Sequence, residues 1–172
     1  MARPRWHGLL FNALRFEAGW LLCVLGGSGV AAIIGSALLG WHFWRCAKPG
    51  EWRFIGVFAL LGLALDGGLH LAGGFGFGEH TLVAGLLPLW LWMLWPLFAT
   101  LVFHSLAWLW QYPMIAAVCG AVSGPLSYFG GAALTGVSLA PWLLPAQAII
   151  WAALCLCISR YANHKLAASS VD

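Results

Sequence analysis

Residues 16–45 read FEAGWLLCVLGGSGVAAIIGSALLGWHFWR, a run in which only Glu17 and Arg45 carry a full charge. As one straight helix this run would be about 45 Å long at 1.5 Å per residue. The hydrocarbon layer of a bilayer is about 30 Å thick. The cluster GGSG at 26–29 is a turn signal, and it divides the run into two apolar pieces that match the layer better. With the chain turning there, six spans follow, at about 9–26, 30–45, 53–73, 85–110, 113–135 and 141–160. Without the turn, 16–44 becomes one span and the total is five.

The basic residues decide between these maps. With six spans, Arg3, Arg5, Arg15, Arg45, Lys48, Arg53, Arg160 and Lys165 all fall on one side of the membrane. With five, they divide three against five. Basic residues concentrate on the cytoplasmic side of membrane proteins, which favours six spans with both termini cytoplasmic. The remaining breaks are punctuated by Pro49-Gly50, by the glycine-rich GGFGFGEHT at 73–81, by Tyr112-Pro113 and by 136–141.

The composition leaves little room for another class. Of 172 residues, 62% are hydrophobic and 8% charged, against about 25% charged in soluble domains. The expected fold is an all-α membrane protein, a polytopic bundle of about six transmembrane helices forming a single domain over 1–172. The net charge of +3 comes from residues flanking apolar segments, so they read as topology and headgroup anchors and imply no nucleic acid. Five cysteines (Cys23, Cys46, Cys119, Cys155, Cys157) lie in or beside apolar runs without a CxxC motif. Such cysteines usually act as small hydrophobes, and neither disulfide nor metal is implied. Arg15 and Glu17 interrupt the first apolar segment, so it reads as a retained helix rather than a cleaved signal.

Of twelve tryptophans, Trp41, Trp44, Trp52, Trp108 and Trp110 group at the expected inner interface, and Trp90 and Trp142 near the outer one, as aromatic belts do. Span five carries Ala116-x3-Gly120-x3-Gly124, a small-residue stripe of the kind that lets helices approach closely in lipid. Pro96 and Pro125 are expected to kink spans four and five.

Two acids, Glu17 and Asp66, lie inside expected spans. An intramembrane acid is costly, about 2.5–3.5 kcal/mol on insertion scales, and is by default a functional candidate. Asp66 and His70 are four apart, hence on one helix face. Asp66 lies about 20 Å from Arg53 along the helix, in the outer half. Gln147 is at comparable depth, and Glu79 and His80 lie in the adjoining loop, so an outward-facing polar pocket is one candidate site. The second candidate lies in the inner half, where His104-Ser105 and Glu17 have similar depth and His42 is near the boundary. The bland readings are an Asp66 satisfied by neighbouring donors, and a His104 that simply bonds between helices.

The six histidines form no HxxxH or HxxHH box, and HExxH, GxSxG and P-loop motifs are absent from the sequence. No cofactor is implied. His42 and His104 are the pair to consider for a haem. Three functions remain open: a non-catalytic accessory or lipid-binding protein, a small proton-coupled carrier using Asp66, and an intramembrane lipid or quinone enzyme using His104. Membrane lipids are the expected partners, and a homo-oligomer is compatible with the small-residue stripe.

Four phrases carry a family resemblance: FEAGWLLCVLGG (16–27), LLGLALDGGL (60–69), PLWLWMLWPLFATLVFHSLAWL (88–109) and GAVSGPLSYFGG (120–131). In order and spacing the chain resembles domain of unknown function family 2878, small bacterial inner-membrane proteins. The matching positions are Trp20, Gly62, Asp66, Pro88, Trp90, Trp95, Phe98, His104, Ser105, Trp108, Gly124, Pro125 and Tyr128. The family pattern has glutamine where Glu17 stands, and a threonine-asparagine pair where Val102-Phe103 precede His104. The resemblance implies a bacterial inner-membrane location and an association with lipid-modifying membrane enzymes. It implies no established reaction.

Overall fold

The computed structural model describes residues 6–78 and 87–168, with side chains described as far as 163. Its elements are α1 (Trp6–Arg45), α2 (Glu51–Leu71), β1 (Phe75–Gly76), α3 (Leu89–Val102), α4 (Pro113–Thr135), β2 (Ser138–Leu139) and α5 (Leu143–Ala168), with a short 3-10 turn at Leu109–Gln111. Among the described residues, α1, α2, α4 and α5 are long and apolar enough to cross a membrane, and α3 is a shorter apolar helix. The architecture is all-α.

Within its bounds α1 is two helices joined across a kink at the GGSG cluster. Gly27 has φ 67° and ψ −167°, outside helical geometry and in a region that essentially only glycine occupies. A straight helix would separate Arg15 and His42 by about 40 Å. Instead, Arg15 Nη2 lies 3.5 Å from His42 Nδ1, and Gly19 packs directly on Leu38. The two arms of α1, residues 6–26 and 28–45, therefore fold back on each other about the GGSG cluster.

The arms, α2, α4 and α5 surround α3. Trp90, Leu91, Met93 and every residue from Trp95 to Val102 except Phe98 are buried, so α3 is the axis of the bundle. Two hydrophobic clusters share it. One joins Cys23, Val24, Phe75, Phe77, Trp90, Val137 and Leu143 at the β1–β2 end. The other joins Ile55, Phe58, Trp95, Val102, Trp110 and Ile158 toward the charged end. Long apolar side chains such as Leu10, Phe11, Ile33, Leu60, Val118 and Ile149 point outward, as they do when the surrounding solvent is lipid.

Several boundaries differ from expectation. Span four was expected over 85–110, but α3 ends at Val102 and the chain continues in turns. Side-chain donors take the carbonyls released there: Lys48 Nζ donates to Phe103 O at 2.5 Å and Trp110 Nε1 to Val102 O at 2.7 Å. Trp110 is consequently 2% exposed and is a core residue, not part of an interfacial belt. Trp90 is likewise buried in the core. The glycine-rich loop contains β1, which pairs antiparallel with β2 through Phe75 and Leu139 and through Gly76 and Ser138. Ala116, Gly120 and Gly124 are buried, and the last two lie against Cys155 and Trp151 of α5. The stripe therefore joins α4 to α5 within one chain.

Replacing Gly27 with valine places a β-branched residue in a conformation costing about 1–3 kcal/mol. A corresponding loss of stability in detergent, followed by tryptophan fluorescence on heating, is the expected result; an unchanged transition would show that the reversal does not need this backbone geometry.

Candidate functional site

Asp66 stands one turn before the end of α2 and is 0% exposed. Trp95 Nε1 of α3 donates to its Oδ2 at 2.7 Å. The Tyr128 hydroxyl of α4 donates to Oδ1 at 2.7 Å and approaches Oδ2 at 2.9 Å. Gln147 Nε2 of α5 donates to Oδ1 at 3.3 Å. One carboxyl group thus links four helices. The indole of Trp95 reaches it because Gly62, one turn earlier on α2, has no side chain; a Cβ there would overlap the ring. Trp151 of α5 stacks on Trp95 with centroids 5.2 Å apart, and Gly124 of α4 leaves the space Trp151 fills.

His70 does not join this group. Its Nδ1 lies 3.3 Å from Phe75 O and its ring packs on Phe77, which ties the end of α2 to β1. Glu79 and His80 lie outside the described residues. The pocket expected to open outward from Asp66 is therefore replaced, among the described residues, by a closed cluster of donors.

At the other end of the bundle, His104 does not meet Glu17. Its Nε2 lies 3.1 Å from both carboxylate oxygens of Glu51, the first residue of α2. His42 Nε2 of α1 lies 3.1 Å from Glu51 Oε1, and the Lys48 amide donates to Oε2 at 2.7 Å. The two imidazoles are near perpendicular, with centroids 5.1 Å apart. His42 is 0% exposed and Glu51 3%. Beside them, Ser105 donates through its hydroxyl (2.8 Å) and amide (3.3 Å) to Asn12 Oδ1 of α1. Glu51 reads as a loop residue in the sequence. The local signal is that His42 and Glu51 flank a short Pro-Gly turn, which brings the ends of α1 and α2 together.

A cavity of about 500 Å³ lies between α1, α3 and α4. Phe75, Phe77, Val137 and Leu139 line one end, and Leu101 and Leu106 line the other. Trp95 and Tyr128, which hold Asp66, contribute to its wall, as does Trp151. The Trp151 indole nitrogen is buried in this wall, beside the Tyr128 hydroxyl. Glu17 on α1 and Ser123, Leu126 and Ser127 on α4 line the cavity and are also exposed. The mouth therefore opens on the flank of the bundle, between α1 and α4. Trp20 Nε1 donates to Ser127 Oγ across this gap at 3.0 Å. Glu17 is thus a lip residue, with no hydrogen-bond or ion-pair partner among the described residues.

The family described as "Protein of unknown function (DUF2878)" matches residues 9–157, and the chain belongs to it. Comparison with curated proteins and with solved structures returns no match.

If the Asp66 carboxyl group braces the bundle, Asp66→Ala strands three buried donors, each worth about 1–3 kcal/mol when unpaired. Asp66→Asn keeps one acceptor oxygen and is expected to lose less. Denaturant unfolding in detergent should rank wild type above Asn above Ala; equal stabilities would remove the brace.

Proposed function

We propose that this protein is a non-catalytic, six-crossing membrane protein that binds the apolar chain of a membrane lipid in the cavity between α1 and α4. The observation that carries this reading is the cavity with its lateral mouth. Its volume of about 500 Å³ falls within the range of about 300–1,000 Å³ typical of small-molecule sites. Its walls are mainly aromatic and aliphatic, and its mouth faces the direction from which a lipid would enter. Glu17, Ser123, Ser127 and Trp20 form a polar lip suited to a headgroup carrying hydroxyl or amine functions.

Six crossings are supported by the fold-back of α1 at Gly27 and by the placement of α3 along the bundle axis. The 45–51 turn, the 103–112 turns and the first residues of α1 share one end, with Arg15, Arg45, Lys48 and Arg53. That distribution favours a cytoplasmic location for this end in a bacterial inner membrane. Asp66 is surrounded by three donors inside the bundle, an arrangement that suits a structural brace better than a proton carrier. A lipid held at the flank would be accessible to a neighbouring membrane enzyme, consistent with an accessory role in lipid modification.

The test uses Gly131, which lines the cavity and where an added Cβ would meet nothing within 4 Å. Gly131→Leu fills the cavity from a wall that has room for it. Gly56→Leu, on α2, also has open space at its Cβ and serves as the control. Lipids copurifying with wild type and Gly56→Leu should be enriched relative to bulk membrane, and depleted at least severalfold in Gly131→Leu, when quantified by mass spectrometry. Identical lipid profiles in all three, matching the bulk membrane, would defeat the proposal.

A further inference from the structure

The cluster of His42, Glu51 and His104 has no part in lipid binding as proposed, yet it brings three metal-ligating side chains to one point. We propose that it is a binding site for one divalent transition-metal ion of borderline softness, Zn²⁺ or Fe²⁺, held by two imidazoles and one carboxylate. His42 Nε2, His104 Nε2 and a carboxylate oxygen of Glu51 all lie within 4.8 Å of one another. Both histidine–carboxylate separations are 3.1 Å. An ion about 2.0–2.2 Å from each donor holds adjacent ligand atoms roughly 3 Å apart, so these pairs already have the required spacing.

The ligands come from three separate elements: the end of α1, the start of α2 and the turn after α3. Each is fixed by packing or by a hydrogen bond. The Lys48 amide orients the Glu51 carboxylate from behind, a supporting contact of the kind that holds ligands in place at metal centres. His104 is 16% exposed through its side chain, which leaves a route for the ion and an open side for water. Two histidines and one carboxylate with free positions is a donor set that suits catalytic zinc and non-haem iron.

In the metal-free arrangement each Nε2 carries a proton toward Glu51, and Arg15 Nη2 approaches His42 Nδ1 at 3.5 Å. Metal binding displaces the Nε2 protons, to Nδ1 or to water, because the ion takes the lone pair of each Nε2. The Arg15 guanidinium then turns toward the adjacent headgroups, which its half-exposed position permits. Glu51 remains ionised throughout.

The experiment measures metal content of the purified full-length protein by mass spectrometry, then titrates stripped protein with Zn²⁺ and with Co²⁺ as a spectroscopic probe. Wild type should carry or take up about one ion per chain, show Co²⁺ ligand-field bands and unfold at higher temperature with Zn²⁺. Glu51→Gln and His104→Ala should each weaken binding by more than the roughly 10–100-fold expected for losing only a supporting partner. His104→Ala alters the most exposed ligand and keeps the test decisive if Glu51→Gln does not fold. Arg15→Ala should bind at least as tightly as wild type. Folded wild type that takes up neither ion, or variants that bind as well as wild type, would overturn the site and leave a hydrogen-bonded His–Glu–His cluster.

Discussion

A single carboxyl group inside the bundle sets much of the rest of the structure. Asp66 belongs to α2, but its partners are Trp95 of α3, Tyr128 of α4 and Gln147 of α5. In a hydrocarbon surrounding, helices gain little from burying apolar surface against each other, because lipid is equally apolar. A buried acid with three donors is different: it has no equally good alternative in lipid. The acid consequently fixes which faces of four helices must meet. Gly62 and Gly124 belong to the same device, since they make room for the indoles of Trp95 and Trp151 beside it.

The same arrangement shapes the cavity. The α4–α5 pair is joined through the small-residue stripe, while α1 and α3 pack closely on each other through contacts such as Gly35 with Met93. Tyr128 and Trp95 connect the two groups through Asp66. Between α1 and α4 the connection is thin, with Trp20 and Ser127 bridging it. A gap bounded by aromatic walls remains, and it opens on the flank of the bundle. Pairing the acid inside and leaving the flank open are two consequences of one packing solution.

The charged end obeys a different logic. At this end of the bundle the end of α1, the start of α2 and the turn after α3 come together, and their polar residues bond to one another. Ser105 and Asn12 join α1 to the turn after α3, while Glu51 gathers His42 and His104. Ending α3 at Val102 is part of this arrangement, because a helix continued through 104–105 would carry these side chains around its axis instead of toward Asn12 and Glu51.

Much of the fold was legible in the sequence. Composition requires membrane helices, the GGSG cluster marks the reversal in α1, and the spacing of Ala116, Gly120 and Gly124 marks a close helix contact. The depth of Gln147 brings it level with Asp66. These features depend on local propensity, period and length, which a linear chain carries within itself. The partners of the polar residues were not legible. His70 is four residues from Asp66 and shares its face, yet it bonds to Phe75; Glu17 matches His104 in depth, yet His104 meets Glu51. Depth and helical face restrict where a side chain lies along and around its own helix, but not which helix lies opposite. The sequence by itself determined an apolar helical chain that reverses at glycine. Only tertiary packing decided that Trp95 and Tyr128 would hold Asp66, because pairing across helices depends on their lateral order and rotation.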